Sequence, residues 1–420
     1  MKLETDAAYQ VYRKQVFDFL WREVEPRAAE VEAGKVKIQE FFPRFSELGL
    51  FGLVIPDQYG GTGLTTGQYL PFLAEFSKVS GAVRVLLHVH GTAARAAVAY
   101  GTEEQKARYL PKIASGASSM SFAITEPNTG TGVDIGTTAL RDGDHWVVNG
   151  AKHYITNATY ADLHLVAART GEGRGRRDFT SLVIETGTPG FTIEPMPELM
   201  GANGPPHAYL RFENVRVPVE DRIGNEGDGL EVFLGELEPS RVFVASSALG
   251  TAERTLEIAL DFAKKRVTFG QPIAKRPSVQ AELAQMARDV YALKLMLQDV
   301  ADKIDRHEPC AVEASVAKLF AGETVMSVTD RALDVLGGRS FFQDYPYPLE
   351  RLYREARLNM LEEGTPSIQR LVIARSLLQQ EVPLTIGTLD TPYQPEGIDP
   401  ALGSSPPQDL SYANEAEKTR

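Results

Sequence analysis

Apolar residues change their period along the chain. Tyr12, Val16 and Phe19 recur at helical spacing, and Ala93 to Tyr100 forms a second compact apolar patch. The stretch up to about residue 118, rich in Ala, Leu and Glu, therefore predicts helices. Tyr59-Gly60-Gly61-Thr62-Gly63 interrupts them as a loop. From about 120 to 228 the apolar runs become short and β-rich: Trp146-Val147-Val148, Leu163 to Val166, Ser181 to Ile184 and Tyr209 to Phe212. Turn residues such as Arg141-Asp142-Gly143-Asp144 and Thr188-Pro189-Gly190 separate them, the pattern of a small barrel or sandwich. Helical spacing then returns. Ala245, Leu249, Ala252, Leu256, Ala259 and Ala263 form one stripe, and Leu283, Met286, Val290, Leu293, Leu297, Val300 and Ile304 another. Both read as core-facing sides of a helical bundle. After Gln380 the pattern dissolves into prolines and polar residues.

This order predicts an α+β chain: an N-terminal helical domain over 1–119, a central β-barrel or sandwich domain over 120–229, a C-terminal helical bundle over 230–382 and a Pro-rich polar tail over 383–420. Composition narrows the function. With 44 basic and 56 acidic side chains, the net charge of −12 argues against nucleic acid or an anionic membrane as main partner. The single cysteine, Cys310, excludes an intrachain disulfide framework and a thiolate metal cluster. The first ten residues lack a signal-peptide core, and no apolar run approaches the ~18 residues of a membrane span. A soluble, cytoplasmic protein is expected.

Common constellations can be set aside. His88 and His90 stand two apart on a predicted helix, face different sides and cannot chelate one metal together; no metal site is expected. Gly130-Thr131-Gly132-Val133-Asp134-Ile135-Gly136 imitates a dinucleotide fingerprint, but β-prone residues follow where that motif needs a helix. Gly171 to Arg177 is a basic glycine loop that suits either a phosphate or a solvated turn. Three patches carry more chemistry. Phe122 to Thr131 reads as a strand ending in hydroxyls, a proline bend and glycine amides; it is either a plain turn or a cradle for a flat polar ring or phosphates. His153-Tyr154-Ile155-Thr156-Asn157 ends a second strand in an aromatic and a hydroxyl. In Leu361-Glu362-Glu363-Gly364-Thr365-Pro366, the proline stops one helix near Gly364 and starts another with Thr365 as its cap. Glu363 then sits at a helix end that disfavours negative charge, either as a general base or as part of a solvated acidic pair.

Taken together, Phe122 to Thr131, Tyr154-Ile155-Thr156, Arg266 to Ile273, Val335-Leu336-Gly337-Gly338 and Glu363-Gly364-Thr365 resemble the acyl-CoA dehydrogenases in order and spacing. Tyr59 to Gly63 and Gly101 to Lys106 are similar to family sequence as well, so the resemblance covers about residues 10–380. It implies helical, β and four-helix-bundle domains, bound FAD, and oxidation of an acyl thioester to its trans-2-enoyl product. In that family a base removes the α-proton while the β-hydrogen leaves as hydride to the flavin, and electrons usually pass to an electron-transferring flavoprotein.

Carried over by position, the resemblance makes Glu363 the base and sets Gly364 against the thioester. Phe122, Thr125, Gly130, Thr131, Tyr154 and Thr156 line the flavin ring, with the hydroxyls of Thr125 and Thr156 as donors. Thr365 and Ser367 stand beside the base on the cofactor side. Arg266, Phe269 and Gln280 match positions for the pyrophosphate and adenosine, and Asp334, Gly337 and Gly338 match a contact to the FAD of a neighbouring subunit, implying a homo-oligomer, most often a tetramer. Thr131, Glu238 and Arg241 belong to the substrate side, and Ser240 precedes that arginine where some relatives carry the base, a role serine cannot fill.

The sequence departs from the family pattern at Gly132, Asp334, Ser340, Ser367, Glu362 and Gly201 to His207. These changes surround the cofactor and the substrate entrance, and Glu362 is expected to raise the pKa of Glu363 if both face inward. Two other readings keep the fold: an oxidase or monooxygenase using O₂, and a flavin-binding protein without turnover. Either coenzyme A or an acyl carrier protein suits the thioester.

Overall fold

The computed structural model describes residues 5–129 and 133–379; the tail predicted over 383–420 lies outside the described residues. The N-terminal part is helical: α1 (Asp6–Phe19), the short α2 (Ala28–Glu32) and α3 (Phe42–Glu47), then α4 (Thr66–Val79), α5 (Gly81–Tyr100) and α6 (Glu103–Ser115). Tyr12, Val16 and Phe19 form the buried face of α1. Reciprocal caps start α4 and α6. Thr65 and Thr102 accept from the amides of Gln68 and Gln105, whose side chains accept from the threonine amides in return. Gln105 also donates to the carbonyls of Glu220 and Arg222 at 2.7 Å each, which ties α6 to the β part.

Eight strands follow: β1 (Met120–Ala123), β2 (Thr138–Asp142), β3 (His145–Thr156), β4 (Leu163–Arg169), β5 (Phe179–Glu185), β6 (Phe191–Pro195), β7 (His207–Pro218) and β8 (Arg222–Ile223). They form one sheet in the order β6-β7-β3-β2-β4-β5-β8, with β1 parallel beside β4. The expected barrel or sandwich takes the form of this single sheet curling over itself. Phe191 on edge strand β6 meets His164 on β4 with ring centroids 4.9 Å apart, although β7, β3 and β2 lie between them along the sheet. Leu163, Leu165 and Ala167 of β4 face the helices, while Val166 and Ala168 face the curled interior with Trp146 and Phe212. Burial on both faces explains why β4 is a continuous apolar run. β2 and β6 are largely exposed, so they leave little apolar signal in the sequence.

The C-terminal part comprises α7 (Gly229–Lys265), a small hairpin of β9 (Val267–Thr268) and β10 (Gln271–Pro272), α8 (Pro277–Asp305), α9 (Ala311–Leu336), α10 (Leu349–Leu361) and α11 (Pro366–Gln379). Helices α7, α8 and α9 pack pairwise, α10 packs on α7 and α9, and α11 on α9. Both predicted apolar stripes lie in the core they form, together with Phe72 and Phe76 of α4. α4 and α7 approach so closely that a Cβ on Gly250 would stand 1.9 Å from the carbonyl oxygen of Ala74.

That contact involves rigid backbone on both sides. Gly250→Ala is therefore expected to lower unfolding stability by about 2–3 kcal/mol. Denaturant titration checks this, and an unchanged midpoint would contradict such tight helix packing.

Candidate active site

Helix α10 ends at Leu361 and α11 begins at Pro366, leaving Glu362 to Thr365 as a tight connection. Glu363 (φ 54°) and Gly364 (φ 97°) both take left-handed conformations, and a side chain at position 364 would also collide with the Gln369 amide, 2.9 Å from its Cβ. Gln369 Nε2 donates to the carbonyls of Glu363 (2.8 Å) and Gly364 (3.1 Å). From α9, Lys318 Nζ donates to the carbonyls of Met360 and Gly364, each at 3.0 Å. The lysine thus serves the carbonyls that the end of α10 leaves without helical partners. Burial draws Lys318 down to about 8, although the charges of Glu362 and Glu363 oppose this.

The two glutamates have opposite environments. Arg84, fully buried on α5, grips Glu362 with Nη1 to Oε2 at 2.5 Å and Nη2 to Oε1 at 2.9 Å. Burial works against charge on Glu362, but the Arg84 guanidinium, aided by His88 and Lys318, holds its carboxyl below the usual range. Glu363 has a neutral hydrogen-bond partner: its Oε1 accepts from the Ser240 hydroxyl at 2.8 Å. Burial pushes its carboxyl up to about 7; Ser240 opposes the shift, the Glu362 charge adds to it, and Arg241 and Lys318 pull it back. Adjacent carboxyls with separated affinities can divide their work, one staying ionised while the other exchanges a proton near neutrality.

A second wall comes from the sheet. The Thr125 carbonyl accepts from the His153 amide at 3.0 Å, which brings the end of β1 beside β3. The register of β3 against β7 shifts between Lys152 and Ile155, and Tyr154 and Asn157 take positive φ on either side of Thr156. The Tyr154 ring is left 59% exposed. Thr156 Oγ1 and His207 Nε2 are hydrogen-bonded at 3.0 Å. Burial draws His207 down, and the charge of Glu362 opposes this. The loop after β1 is anchored by Glu126, which accepts from buried Lys152 (2.8 Å) and from the amides of Gly136 (2.7 Å) and Thr137 (2.9 Å). The Tyr154 ring, lying on His153 with centroids 3.7 Å apart, and the neutral Thr156–His207 pair fit the flavin that the sequence resemblance implies.

The structure divides the sequence candidates into two groups. Arg241, Glu363 and Gly364 meet at the turn after α10, Thr125, Tyr154 and Thr156 lie where β1 and β3 end, and Thr365 and Ser367 are exposed next to Gly364. Phe122 instead packs on Phe233 of α7, ring centroids 4.4 Å apart. Glu238 accepts from the Cys310 thiol at 3.7 Å. Gly130 and Thr131, and with them Gly132, lie outside the described residues. The second group sits at the other end of the bundle. Arg266 follows the last turn of α7, 26 residues beyond Ser240, or roughly 39 Å along the helix. Phe269 is 96% exposed beneath the Arg276 guanidinium, and Gln280 caps the Ala274 carbonyl at 2.9 Å. Asp334, Gly337 and Gly338 are exposed where α9 ends. In the glycine loop, Arg174 and Arg177 pair with Asp134 and Asp228, so it is a solvated turn.

Arg84, His88, Lys318 and Gln369 escape the sequence motifs. Arg84 leaves one trace, a lone charge in an otherwise apolar run from Gly81 to Leu87. His88 and His90 do point apart: His90 packs on Phe51, whereas His88 reaches Ser240. Among the described residues, no cluster of His, Cys, Asp and Glu could hold a metal ion.

Three family models match in order: acyl-CoA dehydrogenase N-terminal domain over 6–117, middle domain over 121–215 and C-terminal domain over 227–378. An acyl-CoA dehydrogenase of Bacillus subtilis (strain 168) is 37% identical over 368 residues, covering 87% of this chain and 97% of the relative. The structure is similar to butyryl-CoA dehydrogenase from Megasphaera elsdenii (TM-score 0.84, 31% identity, 89% of this chain and 98% of that one). It is equally similar to a chain of the electron transferring flavoprotein structure from Acidaminococcus fermentans (TM-score 0.84, 32% identity, 90% and 100% covered).

Arg84→Met would leave the Glu362 carboxylate buried without its partner. We expect a stability loss of about 3–5 kcal/mol at pH 7. Because the folded-state affinity of Glu362 for protons is depressed, the pair stabilises above the usual carboxylate range and loses this as pH falls. The deficit of the variant should therefore shrink as pH drops below roughly 4; denaturant curves at pH 7 and pH 4 check this, and a constant deficit would contradict it.

Proposed function

The chain belongs to the acyl-CoA dehydrogenase family, an oxidoreductase family acting on the CH–CH group of acyl thioesters, and from this premise we propose that the protein oxidises an acyl-CoA to the trans-2-enoyl-CoA with Glu363 as the base and FAD as cofactor. The setting of Glu363 carries this reading. Its carboxyl exchanges protons near neutrality, one oxygen is held by Ser240, and the adjoining backbone is clamped by Gln369 and Lys318. Such a group takes an α-proton through its other oxygen without swinging away from the substrate.

The amide of Glu363 offers a donor for the thioester carbonyl, and stabilising the enolate there makes the α-proton acidic. Thr125, Tyr154 and Thr156 would hold the flavin ring. Bound FAD would supply the acceptor for the β-hydrogen, which leaves as hydride. Arg266, Phe269 and Gln280, beyond the far end of α7 from Ser240, would hold the pyrophosphate and adenosine of FAD, and Asp334, Gly337 and Gly338 at the end of α9 would contact the FAD of a neighbouring subunit. The same reading has a cytoplasmic homotetramer passing electrons to an electron-transferring flavoprotein, the partner class to which one similar structure belongs.

Glu363→Gln is expected to slow anaerobic bleaching of the bound flavin by roughly a thousandfold while leaving flavin content unchanged. In the unmodified protein the bleaching rate should rise with pH through about 7, because only ionised Glu363 accepts the proton. Rapid bleaching by the variant contradicts the assignment.

Short-chain specific acyl-CoA dehydrogenases are among the similar proteins, and butyryl-CoA dehydrogenase is among the similar structures, which supports a preference for short acyl groups over long aliphatic chains. In a panel of CoA and carrier-protein thioesters from four to sixteen carbons, butyryl-CoA should bleach the flavin at least about tenfold faster than palmitoyl-CoA. Fastest reaction with palmitoyl-CoA, or with a carrier-protein thioester, contradicts this specificity.

A further inference from the structure

We propose that His88 and Ser240 act together as a positioning relay for Glu363, fixing which of its oxygens receives the proton and how basic it is; this rests on the reading of Glu363 as the base. The three residues come from different parts of the chain, α5, α7 and the turn after α10, and form one line of hydrogen bonds. His88 Nε2 lies 2.8 Å from Ser240 Oγ, and Ser240 Oγ donates to Glu363 Oε1 at 2.8 Å. His88 and Ser240 are fully buried, so water does not substitute for the bond between them, and Glu363 is half-buried at the open end of the line.

The direction of the line follows from proton counting. A serine hydroxyl has one proton, and it points to the carboxylate. The Ser240 oxygen must then accept from His88, so the imidazole carries its hydrogen on Nε2 and leaves Nδ1 bare. Among the described residues Nδ1 has no hydrogen-bond partner, so nothing competes for the proton on that side. Burial draws His88 down to about 4, which keeps the ring neutral. The edge of Phe243, perpendicular to the imidazole with centroids 6.1 Å apart, sets the ring plane. The line ends at Nδ1, so it orients Glu363 and carries no proton onward.

Arg84 stands one turn before His88 on the same face of α5 and holds Glu362. One helix face therefore fixes both glutamates, Glu362 by a charge and Glu363 by a neutral chain. The groups facing Glu363 are Ser240 and Arg241 from α7, Lys318 from α9, and Glu362 beside it; Gln369 of α11 holds its carbonyl, and Arg84 of α5 and His207 of β7 face Glu362. Ser240 alone among these touches the Glu363 carboxylate with a neutral donor, so removing it changes basicity without unpairing a charge. Oε1 is occupied, and Oε2 is the oxygen that meets the substrate.

The test follows flavin reduction across pH with the thioester that bleaches the flavin fastest in the panel. Ser240→Ala should move the acid limb to higher pH by about one unit, a roughly tenfold further loss of rate at any pH below the limb. Ser240→Thr, which keeps the hydroxyl, should restore the limb. His88→Leu should move it in the same direction, His88→Gln should not, and the Ser240→Ala/His88→Leu double variant should match Ser240→Ala alone. Thermal unfolding of each variant separates misfolding from this effect. Limbs that stay in place while only rate or stability falls, or additive shifts in the double variant, overturn the relay. Glu363→Gln bleaching like the unmodified protein overturns the base assignment instead, so the two failures are distinct.

Discussion

Burying Glu363 in the turn between α10 and α11 penalises its charged form, and much of the surrounding structure answers that one penalty. A carboxylate at the end of a helix, next to a second carboxylate, is opposed by desolvation, by the helix dipole and by like charge. The fold leaves that opposition partly standing. Arg84 neutralises Glu362, Lys318 and Gln369 engage the carbonyls, and Glu363 itself receives a single hydroxyl. Had Arg84 paired with Glu363 instead, the group would be a permanently ionised, weakly basic carboxylate. The result is a carboxyl pushed up to about 7 beside a glutamate that Arg84 has neutralised.

Placement of these groups depends on long, tightly packed helices. α7 carries Ser240 and Arg241 near one end and Arg266 near the other, and its contact with α4 through Gly250 leaves no slack. α5 lies against the same region and supplies Arg84 and His88. The curled sheet sets Thr125, Tyr154 and Thr156 at the ends of β1 and β3, where Thr156 pairs with His207. A single α7 spans the distance between the two candidate groups, from Ser240 to Arg266.

Much of this was legible in the sequence, for identifiable reasons. The apolar stripes of α7 and α8 and the both-faces-buried run of β4 are periodic, so the helices and core strands announce themselves. The break at Gly364 was readable because proline and glycine restrict backbone geometry locally. The inward-facing Glu362 and its upward push on Glu363 were anticipated, although burial is the larger cause. Partnerships across the fold were not legible. Arg84 and Glu362 are separated by 278 residues, and His88 and Ser240 by 152. No periodicity encodes such pairings, and the spacing of His88 and His90 bears only on metal binding. Exposed strands such as β2 and β6 also left no pattern, because one buried residue in five makes no alternation.

The account turns on the protonation of a single carboxyl. Infrared difference spectra of the unmodified protein minus Glu363→Gln, recorded across pH, isolate the carbonyl stretch of protonated Glu363. A band that disappears with a midpoint near 7 is the predicted result. A midpoint in the ordinary glutamate range, about 4.3, would contradict the claim that burial and Glu362 tune this residue to act as the base.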